Sequence, residues 1–236
     1  MQPNIISITN PKSVEAEAYR TLRTNLQFSS VDKELQTMVI TSSNSSEGKS
    51  TTICNLAVSF AQVGKRVLII DGDLRRPRLH KYLNVPNIDG LSNVLAQHVP
   101  VEKVLRETML DIKVLTCGPI PPNPSELLSS NRFKELLEQL KTEFDLILID
   151  APPVGVVTDA AILSTLVDGT LMVVASHKTE REHALRSLKL LNNVGARMLG
   201  TVLTMMPADR SGYYGYQYYD YSEEQSQPKK KRGRRR

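Results

Sequence analysis

Tryptophan is absent from this chain of 236 residues, and there are only four phenylalanines and two cysteines. Cys54 and Cys117 lie far apart and form no CxxC pair, so no disulfide framework is expected and both are interpreted as ordinary structural residues. The four histidines do not have the spacing of metal ligands. No apolar run approaches the roughly 18 residues of a membrane span, and the N-terminus lacks the basic start and long apolar stretch of a signal peptide. These absences predict a cytoplasmic protein.

The excess of basic residues is confined to one end of the chain. The formal net charge is +5, with 30 basic and 25 acidic residues. The last eight residues, KKKRGRRR, hold seven of the basic ones, so the remainder has 23 basic against 25 acidic residues, a balance of −2. A basic groove across a folded domain is not supported, and no nucleic-acid partner is expected. The basic run is either a solvated tail without function or a contact for anionic membrane lipid.

The tyrosines are concentrated in one polar segment, SGYYGYQYYDYSEE, which begins at Ser211. Their neighbours include no aliphatic residue, and their spacing fits neither a helix face nor strand alternation, which argues against a place in the core. An adhesive tail without chemistry and a set of hydroxyls displayed for modification both fit this composition. Six of the eight tyrosines lie here: Tyr213, Tyr214, Tyr216, Tyr218, Tyr219 and Tyr221.

Short apolar runs alternate with helical patterns along most of the chain. The runs are mostly continuous, as expected for strands that are covered on both faces. Strand alternating with helix predicts an α/β fold with a mostly parallel sheet flanked by helices. The predicted strands are 37–41, 66–71, 112–115, 145–150, 170–176 and 199–204. The predicted helices are 14–28, 49–63, 131–142, 159–166 and 180–194.

The same pattern divides the chain into a domain and a tail. Regular alternation ends near Ala208, so residues 1–208 are predicted to form one domain, with a helix over 13–28 ahead of its first strand. Residues 209–236 are predicted to form a disordered, flexible tail that is tyrosine-rich and then polybasic.

A phosphate-binding loop follows the first predicted strand, in the stretch ITSSNSSEGKSTT. Gly48, Lys49 and Ser50 fit the second half of the pattern GxxxxGK[ST], while Ser43 replaces its first glycine. Backbone N–H groups and a helix N-terminus are expected to hold a polyphosphate, with Lys49 on the β- and γ-phosphates and Ser50 on Mg²⁺. The predicted nucleotide-binding residues are Ser46, Glu47, Gly48, Lys49, Ser50 and Thr51.

Three aspartates lie at or just after the ends of two further predicted strands. Asp71 and Asp73 stand in LIIDGDLRRP, and side chains two apart on an extended chain point the same way. Asp150 ends the strand in DLILIDAPP, in the manner of a Walker B acid that holds the Mg²⁺ shell. Because ligand sites form at the carboxyl ends of parallel strands, these acids and Lys49 are predicted to form one Mg·ATP site. GTP lacks support, since no NKxD-like segment is visible.

The segments SSEGKST, IIDGDLRRP and ILIDAPP, in this order and spacing, resemble the Walker A, A′ and B segments of the bacterial tyrosine kinases of capsule and exopolysaccharide loci. The resemblance extends to GPIPPNPSELLSS at 118–130, to EAYRTLRTNLQF at 17–28 and to the tyrosine-rich tail, and so covers nearly the whole chain. It implies the phosphate-loop NTPase fold shared with Min- and Par-type ATPases. It also implies an autophosphorylating, ATP-dependent protein-tyrosine kinase that regulates polysaccharide synthesis.

The resemblance further implies a use for the tail. In the family, tail tyrosines of one subunit enter the active site of a neighbour and accept the γ-phosphoryl group. A phenol with a pKa near 10 needs a base to attack at neutral pH. Asp73 is the candidate base, because it lies further from the strand than Asp71. Asp71, Asp150 and Ser50 are then the expected Mg²⁺ ligands.

An oligomer is also implied, because Glu17, Arg20 and Arg23 match the ExxRxxR oligomerisation motif of the family. Spacings of three place these residues roughly on one helix face, where a local ion pair is the alternative interpretation. The resemblance favours an intersubunit contact in a ring. The expected partner is a membrane adaptor of the chain-length-regulator type, which recruits the protein to the inner face of the cell membrane.

Two other functions are alternatives to the kinase. A Min/Par-type ATPase switch that positions a membrane or DNA cargo carries a signature lysine at the place of Asn44 and has no use for a tyrosine tail. An iron–sulfur assembly ATPase needs bridging cysteines, which Cys54 and Cys117 do not supply. Related ATPases also commonly carry an asparagine that helps to read adenine where Thr204 stands here, so no adenine contact is assigned.

Overall fold

The computed structural model describes residues 5–29, 35–108 and 111–207. The strands are β1 (Thr37–Ser42), β2 (Val67–Asp71), β3 (Arg106–Glu107), β4 (Ile112–Leu115), β5 (Leu146–Asp150), β6 (Gly169–Ala175) and β7 (Met198–Thr204). The helices are α1 (Ile6–Thr9), α2 (Val14–Phe28), α3 (Lys49–Ala61), α4 (Leu79–Leu83), α5 (Leu91–Gln97), α6 (Val101–Val104), α7 (Pro124–Ser129), α8 (Asn131–Lys141), α9 (Asp159–Ser164) and α10 (Arg181–Asn193).

The described strands form one sheet in the order β3-β4-β2-β5-β1-β6-β7. Only the short β3 runs antiparallel to its neighbour, and all other pairs are parallel. The predicted α/β fold with a mostly parallel sheet is therefore confirmed. The register pairs Asp71 of β2 with Asp150 of β5, and Ile40 of β1 with the same Asp150. The carboxyl ends of three strands thus meet at one edge of the sheet.

Each central strand supplies side chains to two hydrophobic layers. In β5, Ile147 and Ile149 belong to the layer that contains α8 and α9, while Leu146 and Leu148 belong to the layer that contains α3 and α4. This alternation follows from the two-residue period of a strand. Because both faces are buried, the strands have the continuous apolar sequences on which their prediction depended.

All predicted strands and helices are present, and their ends lie within two residues of the predicted positions. The short elements β3, α1, α4, α5, α6 and α7 were not predicted. Each of these five helices has four to seven residues, so its helical period in the sequence is weak. The six-residue α9 was predicted because its pattern extends over 159–166.

The chain divides into two units, residues 1–206 and 207–236, and all the elements above belong to the first. The six clustered tyrosines and the basic run lie outside the described residues. The predicted flexible tail and its boundary at residue 208 therefore remain predictions. Within the three described ranges, no helix has the length and apolar character needed to cross a bilayer.

Phe133 tests the assignment of the core. This side chain of α8 is completely buried, whereas Phe28 at the end of α2 is 75% exposed. Phe133→Ala should lower the free energy of unfolding by about 3–5 kcal/mol, because buried area is lost and a cavity forms. Phe28→Ala, the matched control, should change it by less than about 0.5 kcal/mol. Urea denaturation measures both, and equal losses would contradict the assignment.

Candidate active site

The phosphate loop, residues 43–50, joins β1 to α3. Two of its residues have a left-handed backbone, Ser46 at φ 61° and Gly48 at φ 90°. Glycine adopts this conformation without steric cost. Gly48 directly precedes the first turn of α3, whose leading N–H groups have no partner within the helix. The loop therefore offers backbone donors for an anion, as its sequence predicts.

Lys49 and Ser50 both contact the aspartate that ends β5. Lys49 Nζ lies 2.5 Å from Asp150 Oδ1, and Ser50 Oγ donates to Asp150 Oδ2 at 2.8 Å. The Asp150 side chain is 2% exposed. Burial alone would lower the pKa of Lys49, but the carboxylates of Asp150, Asp73 and Asp71 together raise it, so Lys49 is a cation at neutral pH.

Asp71 is a buried carboxylate with one satisfied oxygen. Its Oδ2 accepts the Leu79 N–H at 3.2 Å, while no hydrogen bond reaches its Oδ1 within the described structure. Burial, and then repulsion by Asp150, raises the pKa of Asp71 well above its ordinary value. A buried polar atom without a partner is costly. This edge of the sheet therefore favours a cation or a proton at Asp71.

Asp73 follows two residues later and is half-buried. Its Oδ1 accepts the Arg76 N–H at 2.9 Å. Gly72 lies between the two aspartates, and a Cβ there would stand 2.9 Å from Ile149 Cγ2. The glycine is required because the backbone passes close to β5 and leaves no room for a Cβ.

The side chains at this edge suit Mg²⁺. Ser50, Asp71 and Asp150 supply the hydroxyl and carboxylate oxygens that this ion prefers, and Asp71 Oδ1 still needs a partner. Among the described residues, no three His, Cys, Asp or Glu side chains are placed to hold a metal by themselves. Mg²⁺ is usually held by one or two carboxylates together with substrate phosphates and water, so these residues fit a nucleotide-bound ion.

The side chain of Glu47 has a role that sequence patterns did not reveal. It is 1% exposed, and its Oε2 accepts the N–H groups of Ser43 and Asn44 at 2.9 and 3.1 Å. Its Oε1 accepts the hydroxyl of Thr179, from the connection between β6 and α10, at 2.5 Å. Glu47 therefore joins the beginning of the phosphate loop to a segment more than a hundred residues away.

Two further residues hold carbonyl groups of the loop. Thr204 Oγ1, at the end of β7, donates to the Glu47 carbonyl at 2.7 Å, and Lys178 Nζ donates to the Ser46 carbonyl at 2.7 Å. A Cβ on Gly48 would lie 3.4 Å from the Thr204 side chain. Thr204 thus contacts the backbone of the phosphate loop. Only the order of the strands brings these residues together, so no local signal could have revealed them.

A second polar network fixes the segment that follows Asp73. The buried carboxylate of Asp159 accepts Arg75 Nε at 2.7 Å and Ser125 Oγ at 2.7 Å. Arg75 Nη2 also donates to Ser125 Oγ at 2.9 Å. The sequence marked Asp159 only as the beginning of a helix. The network holds the segment against α7 and α9 and so limits the movement of Asp73.

The predicted oligomerisation residues make contacts within the chain. Arg20 Nε lies 2.7 Å from Glu17 Oε2, which is the local ion pair of the alternative interpretation. Arg23 Nη1 donates to the Ser59 carbonyl at 2.5 Å and so ties α2 to α3. A contact between subunits through these residues remains a prediction.

Known proteins share this fold and a large part of this sequence. A family model described as an AAA domain matches residues 35–194. The chain is 44% identical over 219 residues to the tyrosine-protein kinase YwqD of Bacillus subtilis (strain 168), covering 92% of each. It is 39% identical over 209 residues to the putative tyrosine-protein kinase CapB of Staphylococcus aureus, covering 88% of this chain and 92% of CapB.

Solved structures agree with these relatives. The crystal structure of the chimerical protein CapA2B2 matches with a TM-score of 0.83 at 40% identity, over 86% of this chain and 90% of that one. The septum site-determining protein MinD from Pyrococcus horikoshii OT3, complexed with Mg-ADP, matches with a TM-score of 0.60 at 25% identity, over 71% and 69%. Fold and site together define a phosphate-loop nucleotide-binding protein.

The chain belongs to the family of bacterial tyrosine-protein kinases, and it is an enzyme of that class. The resemblance that its three Walker-type segments indicated is therefore confirmed.

Replacing Asp71 and Asp145 by Asn should change the stability of the fold in opposite directions. The folded-state pKa of Asp71 lies above its ordinary 3.8, so the folded state binds the extra proton and stability falls as pH rises through that window. Hydrogen bonds from Arg66 lower the pKa of Asp145 to about 2, so its charge stabilises the fold above pH about 4, and this stabilisation is lost as pH falls towards 2.

Asp71→Asn should therefore raise the free energy of unfolding relative to the native chain, by an amount that grows as pH rises above about 4. Asp145→Asn should lower it at neutral pH. Urea denaturation between pH 4 and 8 measures both variants. If both substitutions changed the free energy of unfolding in the same direction at pH 7, burial would not be what controls the pKa of Asp71.

Proposed function

We propose that this kinase binds Mg·ATP at the phosphate loop and transfers the γ-phosphoryl group to the clustered tyrosines of a neighbouring copy. The observation that carries the proposal is the meeting of Lys49, Ser50 and Asp150 beside the buried Asp71, all at the carboxyl edge of the sheet. A cation, a hydroxyl and two acids are the parts that phosphoryl transfer requires.

Each group has a proposed role. The N–H groups of residues 46–51 and the Lys49 ammonium bind the polyphosphate, which competes with Asp150 for the lysine. Ser50, Asp71 and Asp150 would hold Mg²⁺, which when bound would supply positive charge to the phosphoryl oxygens. A cation held there would also offset the burial and the repulsion by Asp150 that raise the pKa of Asp71.

Asp73 is the proposed general base. Its Oδ1 is held by the Arg76 N–H, and its Oδ2 is the atom proposed to take the phenolic proton as the tyrosine oxygen attacks the γ-phosphorus, whose bond to the β–γ bridging oxygen breaks to release ADP. The network of Arg75, Ser125 and Asp159 keeps this carboxylate in place. A half-buried acid suits the task, since it must meet a side chain that arrives from outside.

The Min/Par-type switch is not favoured. At the position of its signature lysine this chain has Asn44, whose N–H and side-chain amide both donate to Glu47. The match to CapA2B2 is also closer than the match to MinD, at TM-scores of 0.83 and 0.60. Both observations support the kinase.

The last strand of the sheet ends near the proposed site. β7 ends at Thr204, which contacts the phosphate loop, and Tyr213 follows nine residues later. An extended chain of that length spans about 30 Å. In the proposed cycle, copies of the chain assemble in a ring, and a membrane adaptor of the chain-length-regulator type recruits them to the inner face of the membrane. Phosphorylation there regulates the synthesis of capsule or exopolysaccharide.

A mixing experiment tests transfer between subunits. One protein carries Lys49→Met and keeps its tail, and the other is active but lacks residues 211–236. With Mg·ATP, phosphotyrosine should appear on the inactive protein, although neither protein labels itself alone. Mass spectrometry identifies the modified residues, and replacement of all six clustered tyrosines by Phe should remove nearly all label.

Phosphorylation should change the charge of the tail enough to release it from a neighbouring site. Each phosphate adds about −1.5 to −2, so full modification adds roughly −10 beside Asp220, Glu223 and Glu224. Repulsion should then expel the tail, and light scattering should detect smaller assemblies after phosphorylation. In the mixing experiment, the inactive Lys49→Met protein could remain without phosphotyrosine while the intact native protein still phosphorylates itself. That result would mean that each subunit modifies its own tail. Normal transfer by Lys49→Met would overturn the whole proposal.

The ExxRxxR residues provide a separate test of assembly. Replacing Glu17, Arg20 and Arg23 by Ala should reduce both oligomer size and tail phosphorylation. Glu182→Ala with Arg186→Ala removes a comparable exposed ion pair on α10, at 3.2 Å, and should change neither. Since Arg23 also binds the Ser59 carbonyl, thermal melts must show that the triple variant is folded. An unchanged oligomer would reduce the motif to a contact within one chain.

A further inference from the structure

The carbonyl groups of the phosphate loop show how its N–H groups are aimed. The Ser46 carbonyl accepts from Lys178 and the Glu47 carbonyl accepts from Thr204, each at 2.7 Å. The peptide bonds of the loop are trans, with no cis bond in the described chain. In a trans peptide the C=O and the following N–H point in opposite directions. Because the two carbonyls point towards Lys178 and Thr204, the N–H groups of Glu47 and Gly48 point away from these two side chains.

The hydrogen-bonding pattern agrees with this orientation. Within the described part of the chain, the N–H groups of Glu47 and Gly48 donate to no other group. Both belong to the stretch that the sequence predicts to bind nucleotide. Unpaired N–H groups next to a helix N-terminus are suited to an anion.

The carboxylate of Glu47 holds the loop at a third point. It binds the N–H groups of Ser43 and Asn44 at the beginning of the loop, and the Thr179 hydroxyl from outside. A buried carboxylate with several donors is rigidly held, because breaking any one contact leaves a buried polar group unsatisfied. The loop is thus fixed at three points, which are the side chain of Glu47, the carbonyl of Ser46 and the carbonyl of Glu47.

We propose that Thr204, with Lys178 in a supporting role, is a positioning residue that aims the N–H groups of Gly48 and Glu47 at the phosphates of a bound nucleotide. This inference rests on the proposed nucleotide site. It assigns to Thr204 a function in polyphosphate binding that requires no contact with the base. The residue ends β7, so the last strand of the sheet takes part in binding phosphate through the backbone of another segment.

The test is Thr204→Val, which keeps the shape of the side chain and removes its donor. Binding of Mg·ADP and of Mg·tripolyphosphate, a probe without a base, is measured by calorimetry. The dissociation constants for both should rise about tenfold, since misdirected N–H groups lose hydrogen bonds to charged oxygens. Thr204→Ser keeps the donor and should bind both probes within about twofold of the native chain. Thr201→Val, at an exposed position of the same strand, is the matched control.

Each outcome decides the inference. A loss for Mg·ADP without a loss for Mg·tripolyphosphate would place Thr204 at the base and overturn it. Unchanged binding of both probes, or a Thr204→Ser variant as weak as Thr204→Val, would overturn it too. A native chain that binds neither probe would overturn the proposed function as well, which separates the two failures.

Lys178 extends the test if Thr204→Val does not fold. Lys178 is exposed, so Lys178→Met should leave the melting temperature unchanged. It should weaken binding of both probes about threefold, because only one carbonyl is released. Lys189→Met, an exposed lysine on α10, is its control. Equal affinities for the two variants would contradict the orientation of the Ser46 carbonyl.

Discussion

Two aspartates, Asp71 and Asp150, are buried at one end of the sheet beside Lys49, and the arrangement of the site depends on how these three charges balance. Lys49 offsets Asp150, which also accepts the Ser50 hydroxyl, while Asp71 retains an oxygen without a partner. Charges are tolerated in an interior only when they are paired, because desolvation costs several kcal/mol per ion. Two carboxylates and one ammonium leave one negative charge without compensation. A bound cation or proton must supply the missing positive charge.

The sheet order explains why this balance is possible. β1 lies between β5 and β6, and β2 lies on the other side of β5, so the phosphate loop and two acid-bearing strand ends are neighbours in space. The same order brings the end of β7 and the connection after β6 to the opposite side of the loop. One side of the loop thus contacts the acids, and the other side contacts neutral hydroxyls and a lysine.

Much of this could be predicted from sequence, because the informative signals are local. Apolar runs marked every long strand, and Gly48, Lys49 and Ser50 marked the loop, since a phosphate site needs those residue types in consecutive positions. The contacts of the Glu47 side chain, Thr179 and Thr204 could not be assigned in this way. Their contacts join residues more than a hundred positions apart, and only the strand order makes them neighbours. The network of Arg75, Ser125 and Asp159 has the same origin. Short helices such as α4 were not predicted, because a single turn is too short to show a helical period in the sequence.

The attachment of the proposed acceptor to the kinase chain itself has a kinetic consequence. β7 ends beside the phosphate loop, and the tyrosine-rich segment follows it in the same chain. A tethered group has an effective concentration set by its linker, of millimolar order for short flexible chains. In the proposed assembly, tail tyrosines therefore meet active sites at a concentration that does not depend on how much protein the cell contains. The rate of tail modification is then first-order and depends only on the time since assembly. The rate of modification of any separate protein substrate still depends on the concentration of that substrate.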